Sequence, residues 1–497
     1  MLARRGAGLI VLAALVAGCS SSGGSDGDTA SSAPASTTTQ APTTTTTVLL
    51  PPPVPIDWER CGGGFECGRV VVPVDYADPA GPTLELAVIR RPAGDPANRI
   101  GSLVINPGGP GSSGVRRVRR GFVVSPEVAE RFDVVGFDPR GVGESTPITC
   151  GASVPAFRAT DLAPDSEEEQ VALEAAAAAL AAECAATEGE RLAHLGTVEV
   201  AHDVEVIRRA LGEPQVSFVG LSYGTLIGLL WAEHYPSSVR AMVLDGVVDP
   251  TAAGETTSEE QIDAVDDILA AIDDTCRADP DCPVTSVGGV LAAYDEVARR
   301  LETEDVPGDG VGPTQLAYAA LYATYGSEYW PRLWDALADA LAGDLDDVAS
   351  MAASFTGLVT YAPFALITCL DTGHPVGAQA WREDAESSAR HSSRFGAVLA
   401  NELLPCAFWP RATFVPHQVV APGTPAILVL GSTRDAATPY DQAKRVARTL
   451  DDGVLLTIDI DGHVALGDSD CATAAATRYL VDLTVPAPGA RCPVAVP

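Results

Sequence analysis

The clearest candidate for a catalytic residue lies in the pentapeptide Gly220-Leu221-Ser222-Tyr223-Gly224. An apolar run that predicts a strand, Val216 to Val219, directly precedes it, and an apolar stretch that predicts a helix, Thr225 to His234, follows it. A serine in such a sharp turn needs small neighbours, because Cβ atoms at positions 220 and 224 would collide with the adjacent strand and helix. Gly-x-Ser-x-Gly alone often occurs by chance, but this context favours Ser222 as a nucleophile.

A serine nucleophile needs a base, and the base needs a carboxylate that fixes its tautomer. His463 follows the last predicted core strand, in Asp461-Gly462-His463. The other histidines precede the serine, lie in its helix or fall in a helical region described below: His194, His202, His234, His374, His391 and His417. Position and elimination therefore both indicate His463 as the base.

Asp435 is the preferred acid. It comes shortly after the predicted strand Ala426 to Leu430, which places a carboxylate at the carboxyl edge of the sheet, where the site must lie. A helix is predicted next, with Thr438 as its cap and Pro439 in its first turn. Asp245 and Asp249 follow an earlier strand and also lie between serine and histidine in chain order, so they remain alternative acids.

Acyl transfer also needs donors for the oxyanion that forms when the serine attacks. The glycine-rich loop Asn106 to Gly114 follows the predicted strand Ser102 to Ile105, and its backbone can approach a substrate closely. The amides of Gly109 and Tyr223 are the predicted donor pair. A phosphate-binding loop is the alternative, but Gly-Lys-Ser/Thr does not follow and the dinucleotide-binding spacing is missing.

These residues require an α/β core, and the strand pattern supplies one. Short apolar runs rich in β-branched residues alternate with helical stretches, as in parallel sheets buried on both faces. The runs are Ser102 to Asn106, Phe132 to Phe137, Val216 to Val219, Ala241 to Leu244, Ala426 to Leu430 and Val454 to Ile458, after an antiparallel entry from Cys67 to Tyr76 and Leu84 to Arg90.

The strand signal disappears between about Thr251 and Val420, where helical patterns replace it. They include Glu259 to Asp274, Val290 to Leu301, Tyr329 to Leu341 and Ala378 to Glu402. A helical lid inserted between core strands is the natural interpretation. The predicted organisation is therefore a core in two parts, 56–250 and 421–497, that flanks a lid at 251–420.

The N-terminus predicts export. Arg4 and Arg5 precede an apolar run from Leu9 to Val16, which is too short for an ordinary transmembrane helix, and small residues lead to Cys19. This ending resembles a bacterial lipobox and implies that residues 1–19 form a lipoprotein signal with Cys19 as the lipidated residue; ordinary signal cleavage is the alternative. Residues 20–55 are rich in Ser, Thr and Pro and predict a tether.

Cysteine usage fits an oxidising compartment. Besides Cys19 there is an even set, for which disulfides are the default interpretation and metal binding a weaker one, since Cys-x-x-Cys spacing is absent. Sequential pairing would close local loops, although connectivity stays open: Cys61 with Cys67, Cys150 with Cys184, Cys276 with Cys282, Cys369 with Cys406 and Cys471 with Cys492.

Several longer motifs together resemble the bacterial tripeptidyl aminopeptidases and their proline iminopeptidase relatives, within the α/β-hydrolase superfamily. The motifs are Asn106-Pro-Gly-Gly-Pro-Gly, Phe137-Asp-Pro-Arg-Gly-Val-Gly-Glu-Ser145, Gly220-Leu-Ser-Tyr-Gly-Thr225, Thr438-Pro439 and Gly462-His463. The resemblance covers nearly everything after the tether. It implies an α/β-hydrolase fold with a triad of Ser222, Asp435 and His463 and an oxyanion hole at Gly109 and Tyr223.

The resemblance also implies an exopeptidase that releases short peptides, such as tripeptides, from free N-termini. Family members use lid acids to bind the substrate ammonium, and Glu255 and Glu328 are the candidates here. No metal or organic cofactor is implied. A carboxylesterase with the same triad is the first alternative, because the triad leaves the acyl group open. An inactive lipoprotein that binds peptides is the second.

The net charge of the chain excludes some classes of binding partner. The chain carries a formal charge of −34 at pH 7, which leaves no basic surface for phosphates or anionic lipids. We therefore expect a peptide substrate, no nucleic acid, and membrane contact only through the lipid anchor.

Overall fold

The computed structural model describes residues 48–122, 124–252, 259–303, 310–409 and 413–493. The predicted signal, Cys19, residues 20–47 of the predicted tether and Glu255 lie outside these ranges. The first part of residues 48–55, the described end of the predicted tether, contacts the core. Val48 and Leu50 pack on buried apolar side chains, and Arg209 donates a 2.9 Å hydrogen bond to the Pro51 carbonyl.

A ten-stranded sheet forms the centre of the molecule, in the order β1-β2-β3-β5-β4-β6-β7-β8-β9-β10. Strands β1 to β3 and the β3/β5 pair are antiparallel, and the pairs from β5/β4 through to β9/β10 are parallel. The strands are β1 (Glu59–Arg60), β2 (Glu66–Pro73), β3 (Thr83–Arg91), β4 (Gly101–Asn106), β5 (Phe132–Phe137), β6 (Val216–Leu221), β7 (Val239–Asp245), β8 (Ile427–Arg434), β9 (Gly453–Asp461) and β10 (Arg491–Cys492).

Every residue of β4, β5 and β6 is buried, as their continuous apolar sequences require. This confirms the predicted mostly parallel α/β core. Strands β4 to β7 lie within two residues of their predicted ranges, whereas β8 and β9 extend four and three residues past their predicted ends. The two-residue strands β1 and β10 were not predicted, because segments so short carry no periodic signal.

The helices are α1 (Gly114–Arg119), α2 (Pro126–Arg131), α3 (Val154–Arg158), α4 (Glu167–Glu188), α5 (Thr197–Ala210), α6 (Gly224–His234), α7 (Glu259–Ala278), α8 (Val290–Thr303), α9 (Pro313–Ala323), α10 (Trp330–Ala342), α11 (Asp346–Thr356), α12 (Tyr361–Asp371), α13 (Ala378–His391), α14 (Gly396–Asn401), α15 (Tyr440–Thr449) and α16 (Asp470–Asp482). Helices α7 to α14 lie between β7 and β8 in sequence and form the helical lid.

The lid has its own apolar core, which also contains side chains from α3 and α4. These two helices precede α5 in sequence, so the helical layer draws on two separate stretches of the chain. Trp381 is fully buried in that core, and its indole donates to the Ala400 carbonyl at 3.2 Å. The apolar faces of these helices therefore pack mainly on one another.

The prediction of one helical stretch from Ala378 to Glu402 is wrong, because this segment forms two helices, α13 and α14. Ser392 leaves helical geometry at φ −131° and ψ 118°. Its hydroxyl accepts the amide of Phe395 at 3.3 Å, a local side-chain contact of the kind that competes with helix continuation.

Five disulfides join the cysteines of the described chain, in the sequential arrangement considered above: Cys61–Cys67, Cys150–Cys184, Cys276–Cys282, Cys369–Cys406 and Cys471–Cys492. Within the described ranges, no single helix has the length and apolar character to cross a membrane; the pair α11 and α12, bent by 52°, meets those criteria only when taken together.

Candidate active site

Ser222 occupies a tight turn between β6 and α6, which begins two residues later. Its φ of +54° is in the left-handed region, a conformation that costs a non-glycine residue ~1–2 kcal/mol. The surroundings hold it there. Its amide donates to the Asp245 carbonyl at 2.8 Å, and its carbonyl accepts the Thr225 amide at 2.9 Å and the Thr225 hydroxyl at 2.6 Å.

The two glycines that flank the turn are sterically required, as the sequence predicted. A Cβ atom on Gly220 would lie 2.5 Å from the Gly224 carbonyl oxygen. A Cβ atom on Gly224 would lie 2.6 Å from the carbonyl oxygen of Asn106, at the end of β4. The nucleophile turn therefore packs backbone to backbone against the start of the glycine-rich loop.

His463 and Asp435 lie together at the carboxyl edge of the sheet. The imidazole Nδ1 is 2.9 Å from both carboxylate oxygens of Asp435, and both side chains are almost wholly buried. The carboxylate also accepts the amides of Ala437 at 2.9 Å and Thr438 at 2.8 Å. These bonds hold Asp435 in one orientation toward the ring.

The sequence predicts that Thr438 caps the next helix, and this prediction is wrong. Its hydroxyl donates to Asp435 Oδ2 at 2.9 Å and lies 3.4 Å from His463 Nδ1. Helix α15 instead begins at Tyr440, preceded by Pro439 and without a side-chain cap. The threonine is thus turned toward the acid and base.

Burial and the neighbouring carboxylates shift the pKa of His463 in opposite directions. Burial lowers the pKa of the imidazole, whereas the charge and hydrogen bond of Asp435 and the charge of Asp245 raise it. The carboxylates prevail, and the pKa of His463 lies above its ordinary value. An imidazole with a raised pKa binds a proton more strongly than a free one, a property that suits the predicted role of His463 as a base.

The two alternative acids have other partners. The carboxylate of Asp245 accepts the amides of Ala465 and Leu466 at 2.7 to 3.0 Å, just beyond His463. Asp249 bonds to Arg445 at 2.7 Å and to the amide and hydroxyl of Thr251. The structure therefore places Asp435, rather than either of these, on the imidazole.

The glycine-rich loop lies directly against the nucleophile turn. Gly108 and Gly109 have φ values of +86° and +108°. A Cβ atom on Gly108 would lie 2.8 Å from the backbone nitrogen of Tyr223, so only glycine permits this approach. The loop is fixed at its start, where the amide of Gly108 donates to Asn106 Oδ1 at 2.9 Å.

Comparison with known proteins agrees with this geometry. A family model described as alpha/beta hydrolase fold matches residues 101–466. Serine protease Hip1 of Mycobacterium tuberculosis is 35% identical over 477 residues, which cover 88% of this chain and 91% of that protein. The chain belongs to the α/β-hydrolase family.

Two further relatives differ in their named activity. Tripeptidyl aminopeptidase of Streptomyces lividans is 33% identical over 426 residues, which cover 78% of this chain and 77% of that protein. Carboxylesterase B of Mycobacterium tuberculosis is 34% identical over 457 residues, which cover 86% of each. This α/β hydrolase is a serine hydrolase, and its relatives support a serine peptidase.

An aromatic residue that the sequence did not indicate, Tyr325, contacts the predicted base of this α/β hydrolase. The ring of Tyr325 stands edge-on to the His463 imidazole, with centroids 5.5 Å apart, and the Tyr325 carbonyl accepts the His463 amide at 3.1 Å. Gly326 and Gly462 form an isolated β-bridge beside this contact. Tyr325 lies in the lid, more than a hundred residues from the base, and no sequence motif marks it.

A second missed residue anchors the glycine-rich loop of this α/β hydrolase. The buried carboxylate of Asp138 accepts the Ser113 hydroxyl at 2.6 Å and the Val115 amide at 3.0 Å, where the loop enters α1. The other carboxylate oxygen accepts the Glu144 amide at 2.8 Å. Asp138 lies in the motif Phe137 to Ser145, but its role depends on a contact that the sequence does not reveal.

Glu328 is exposed in the short helical turn Ser327–Tyr329, which directly follows the Tyr325–Gly326 contact with the base loop. Burial and the charge of Glu328 raise the pKa of Asp468, which lies five residues beyond His463. The charge of Glu328 therefore acts on a carboxyl group in the segment that follows His463. Among the described residues, no group of three or more His, Cys, Asp or Glu is arranged to hold a metal ion.

Proposed function

We propose that this α/β hydrolase is an extracytoplasmic serine exopeptidase that releases tripeptides from free N-termini through an acyl-enzyme. The observation that carries the proposal is the pairing of His463 with Asp435, together with a serine held in the left-handed turn between β6 and α6. Acyl transfer by a serine needs this combination of a nucleophile, a base and an acid that orients the base.

In the proposed reaction, Ser222 Oγ attacks the scissile carbonyl while His463 Nε2 takes its proton. The negative charge of Asp435 stabilises the imidazolium, and Nδ1–H donates to its carboxylate. The oxyanion accepts hydrogen bonds from the amides of Gly109 and Tyr223. His463 then protonates the leaving amine, and water activated by the same imidazole hydrolyses the ester at Ser222.

Specificity for a free N-terminus requires an anion near the base that can pair with the substrate ammonium. We assign this role to Glu328, which is exposed and whose charge raises the pKa of Asp468. Two neighbouring carboxylates repel each other, so a bound ammonium would relieve that repulsion. The relative named tripeptidyl aminopeptidase supports the same assignment of activity.

A carboxylesterase is the second candidate, because a relative bears that name and the same acid, base and serine would cleave esters. Esters of simple acids carry no ammonium, so an esterase has no use for a lid carboxylate beside the base. The two candidates therefore differ in how activity depends on Glu328 and on the substrate N-terminus.

The decisive experiment compares a free tripeptide p-nitroanilide, its N-acetylated form and a short-chain p-nitrophenyl ester. We expect the free peptide to be turned over far faster than the blocked one. Glu328→Gln should raise KM for the free peptide, with ester turnover unchanged. Glu302→Gln, at an exposed glutamate near the end of α8, is the matched control.

Equal turnover of free and blocked peptides would contradict the aminopeptidase assignment and favour an endopeptidase. Ester turnover without peptide turnover would favour the carboxylesterase. An unchanged KM in Glu328→Gln, with selectivity for the free peptide retained, would remove Glu328 from the ammonium site while leaving the activity in place.

The extracytoplasmic location rests on the sequence of the first 55 residues, and above all on Cys19 after its apolar run. Fractionation of cells that express the full chain tests it. We expect the wild type in the membrane fraction and Cys19→Ala in the culture medium or a soluble fraction. The same distribution for both chains would contradict lipidation at Cys19.

A further inference from the structure

A buried carboxylate of the lid reaches the residue that follows the nucleophile. Helix α12 ends at Asp371, whose side chain is wholly buried. The phenol of Tyr223 donates a hydrogen bond to Asp371 Oδ2. The amide of Thr197 lies 3.0 Å from each carboxylate oxygen, and the Thr197 hydroxyl donates to Oδ2 at 2.7 Å.

The three side chains form a closed triangle, because the Thr197 hydroxyl also lies 2.8 Å from the Tyr223 phenol. One corner belongs to the lid, one to the start of α5 and one to the nucleophile turn. Burial raises the pKa of Asp371 to about 6, although the bonds from Tyr223 and Thr197 lower it. Burial of a carboxylate is unfavourable, so each of these hydrogen bonds is needed to hold it.

The chain around Asp371 is fixed independently of Tyr223. The Cys369–Cys406 disulfide lies two residues earlier in the same helix. The Leu370 carbonyl accepts the amides of Thr413 at 2.8 Å and Phe414 at 3.1 Å. The end of α12 is thus fixed in place, and its carboxylate can hold the phenol of Tyr223 in one position.

Tyr223 is also held at its backbone, where its carbonyl accepts the Leu226 amide at 3.1 Å in the first turn of α6. A phenol bond on one side and a backbone bond on the other leave the residue little freedom to rotate. The peptide plane between Ser222 and Tyr223 carries the amide that we assigned to the oxyanion hole. Its orientation therefore depends on both attachments.

We propose that Asp371 is a positioning residue that fixes Tyr223 through its phenol, and so sets the direction in which the Tyr223 amide meets the oxyanion. The seating of the lid on the core is thereby coupled to acyl transfer at Ser222. This inference rests on the proposed acyl transfer, and it is independent of which acyl group the enzyme takes. Loss of one oxyanion donor costs ~10²–10³ in rate, and a misplaced donor should cost a part of that.

The test uses the full chain and a short-chain p-nitrophenyl ester, which needs no ammonium site. Asp371→Asn and Tyr223→Phe should each lower kcat by roughly 10- to 100-fold, with KM little changed, because the lost interaction acts in the transition state. The double variant should be no slower than the slower single variant, because both changes remove the same link.

Asp273→Asn is the matched control. Asp273 is a buried lid carboxylate on α7, and it accepts hydrogen bonds from two other lid residues, the Leu291 amide at 3.1 Å and the Arg277 guanidinium at 2.6 Å. We expect it to lower the melting temperature as Asp371→Asn does, with kcat unchanged. A drop in kcat for the control as well would mean that any destabilised lid slows the enzyme, and would overturn the positioning role.

Multiplicative effects in the double variant, or an unchanged kcat in Asp371→Asn, would also overturn it. Should Asp371→Asn fail to fold, Thr197→Val with Tyr223→Phe provides the same cycle through the other corner of the triangle. Failure of the wild type to acylate Ser222 would contradict the proposed function itself. Normal acylation in every variant would contradict only the role of Asp371.

Discussion

The imidazole of His463 faces the carboxylate of Asp435 with Nδ1 2.9 Å from both oxygens, although the two residues are 28 positions apart in sequence. Because an ionised carboxylate can only accept, this contact assigns the Nδ1 proton to the imidazole and leaves Nε2 free to act as the base. The pair accounts for the tautomer that serine activation needs.

The pH dependence of kcat/KM should report this pair. His463 must be neutral to act as a base, so activity falls as pH drops below its pKa, and the carboxylates raise that pKa above the ordinary 6.5. For the p-nitrophenyl ester, we expect the acidic limb of the kcat/KM profile to have its midpoint above pH 6.5. A limb well below 6.5 in the wild type would contradict the assignment of His463.

Asp435→Asn should remove the largest influence that raises the pKa, so burial would dominate and the limb would move to lower pH. We also expect kcat to fall by ~10⁴, because an amide stabilises the wrong tautomer. Steady-state rates across the pH range measure both effects. An active Asp435→Asn enzyme with an unmoved limb would indicate another acid.

Asp245→Asn should move the limb in the same direction by a smaller amount, since its charge also raises the pKa of His463. Asp249→Asn is the matched control, because Asp249 follows the same strand but pairs with Arg445. We expect the limb of the control at its wild-type position. Equal limbs in both variants would exclude an electrostatic effect of Asp245 on the base.

Gly224→Ala should lower ester kcat by ~10² or more, because its Cβ would lie 2.6 Å from the Asn106 carbonyl oxygen and 2.8 Å from Oδ1. Asn106 would move, and with it the bond that fixes the amide of Gly108. Gly101 is at the start of β4, the strand that ends at Asn106. Apart from its chain neighbours, no atom would lie within 4 Å of a Cβ at this position, so Gly101→Ala should leave kcat unchanged. Similar rates for the two variants would contradict the packing argument.

Replacement of Cys369 and Cys406 by alanine should lower the free energy of unfolding by about 3–4 kcal/mol, as expected for a loop of this length. The Cys61–Cys67 pair closes a loop with a sequence separation of only 6, so its removal should cost less. Urea unfolding of the two double variants measures the difference. An equal or larger loss for the short loop would contradict the expected order.

The core strands and the Ser222 turn could be predicted because their signals are local. A buried strand is a run of apolar residues, and a crowded turn needs glycine at fixed positions. His463 could be found because few histidines compete for the position. The first two inferences need only neighbours in sequence, and the third needs only the order of residues along the chain.

The remaining features depend on contacts between distant segments. Asp371 meets Tyr223 across 148 positions, and nothing near either residue marks the contact. Thr438 has the sequence of a helix cap, but the carboxylate of Asp435 competes successfully for its hydroxyl. Such competition is decided by the assembled fold, where the lid and core first come together.

The central claim is that Ser222 is the nucleophile, and covalent labelling tests it most directly. The full chain and Ser222→Ala are treated with a fluorophosphonate, and the modified residue is found by mass spectrometry beside an assay of ester turnover. We predict a single adduct per chain on Ser222, and neither adduct nor turnover in Ser222→Ala. An adduct on another residue, or turnover that survives in Ser222→Ala, would contradict it.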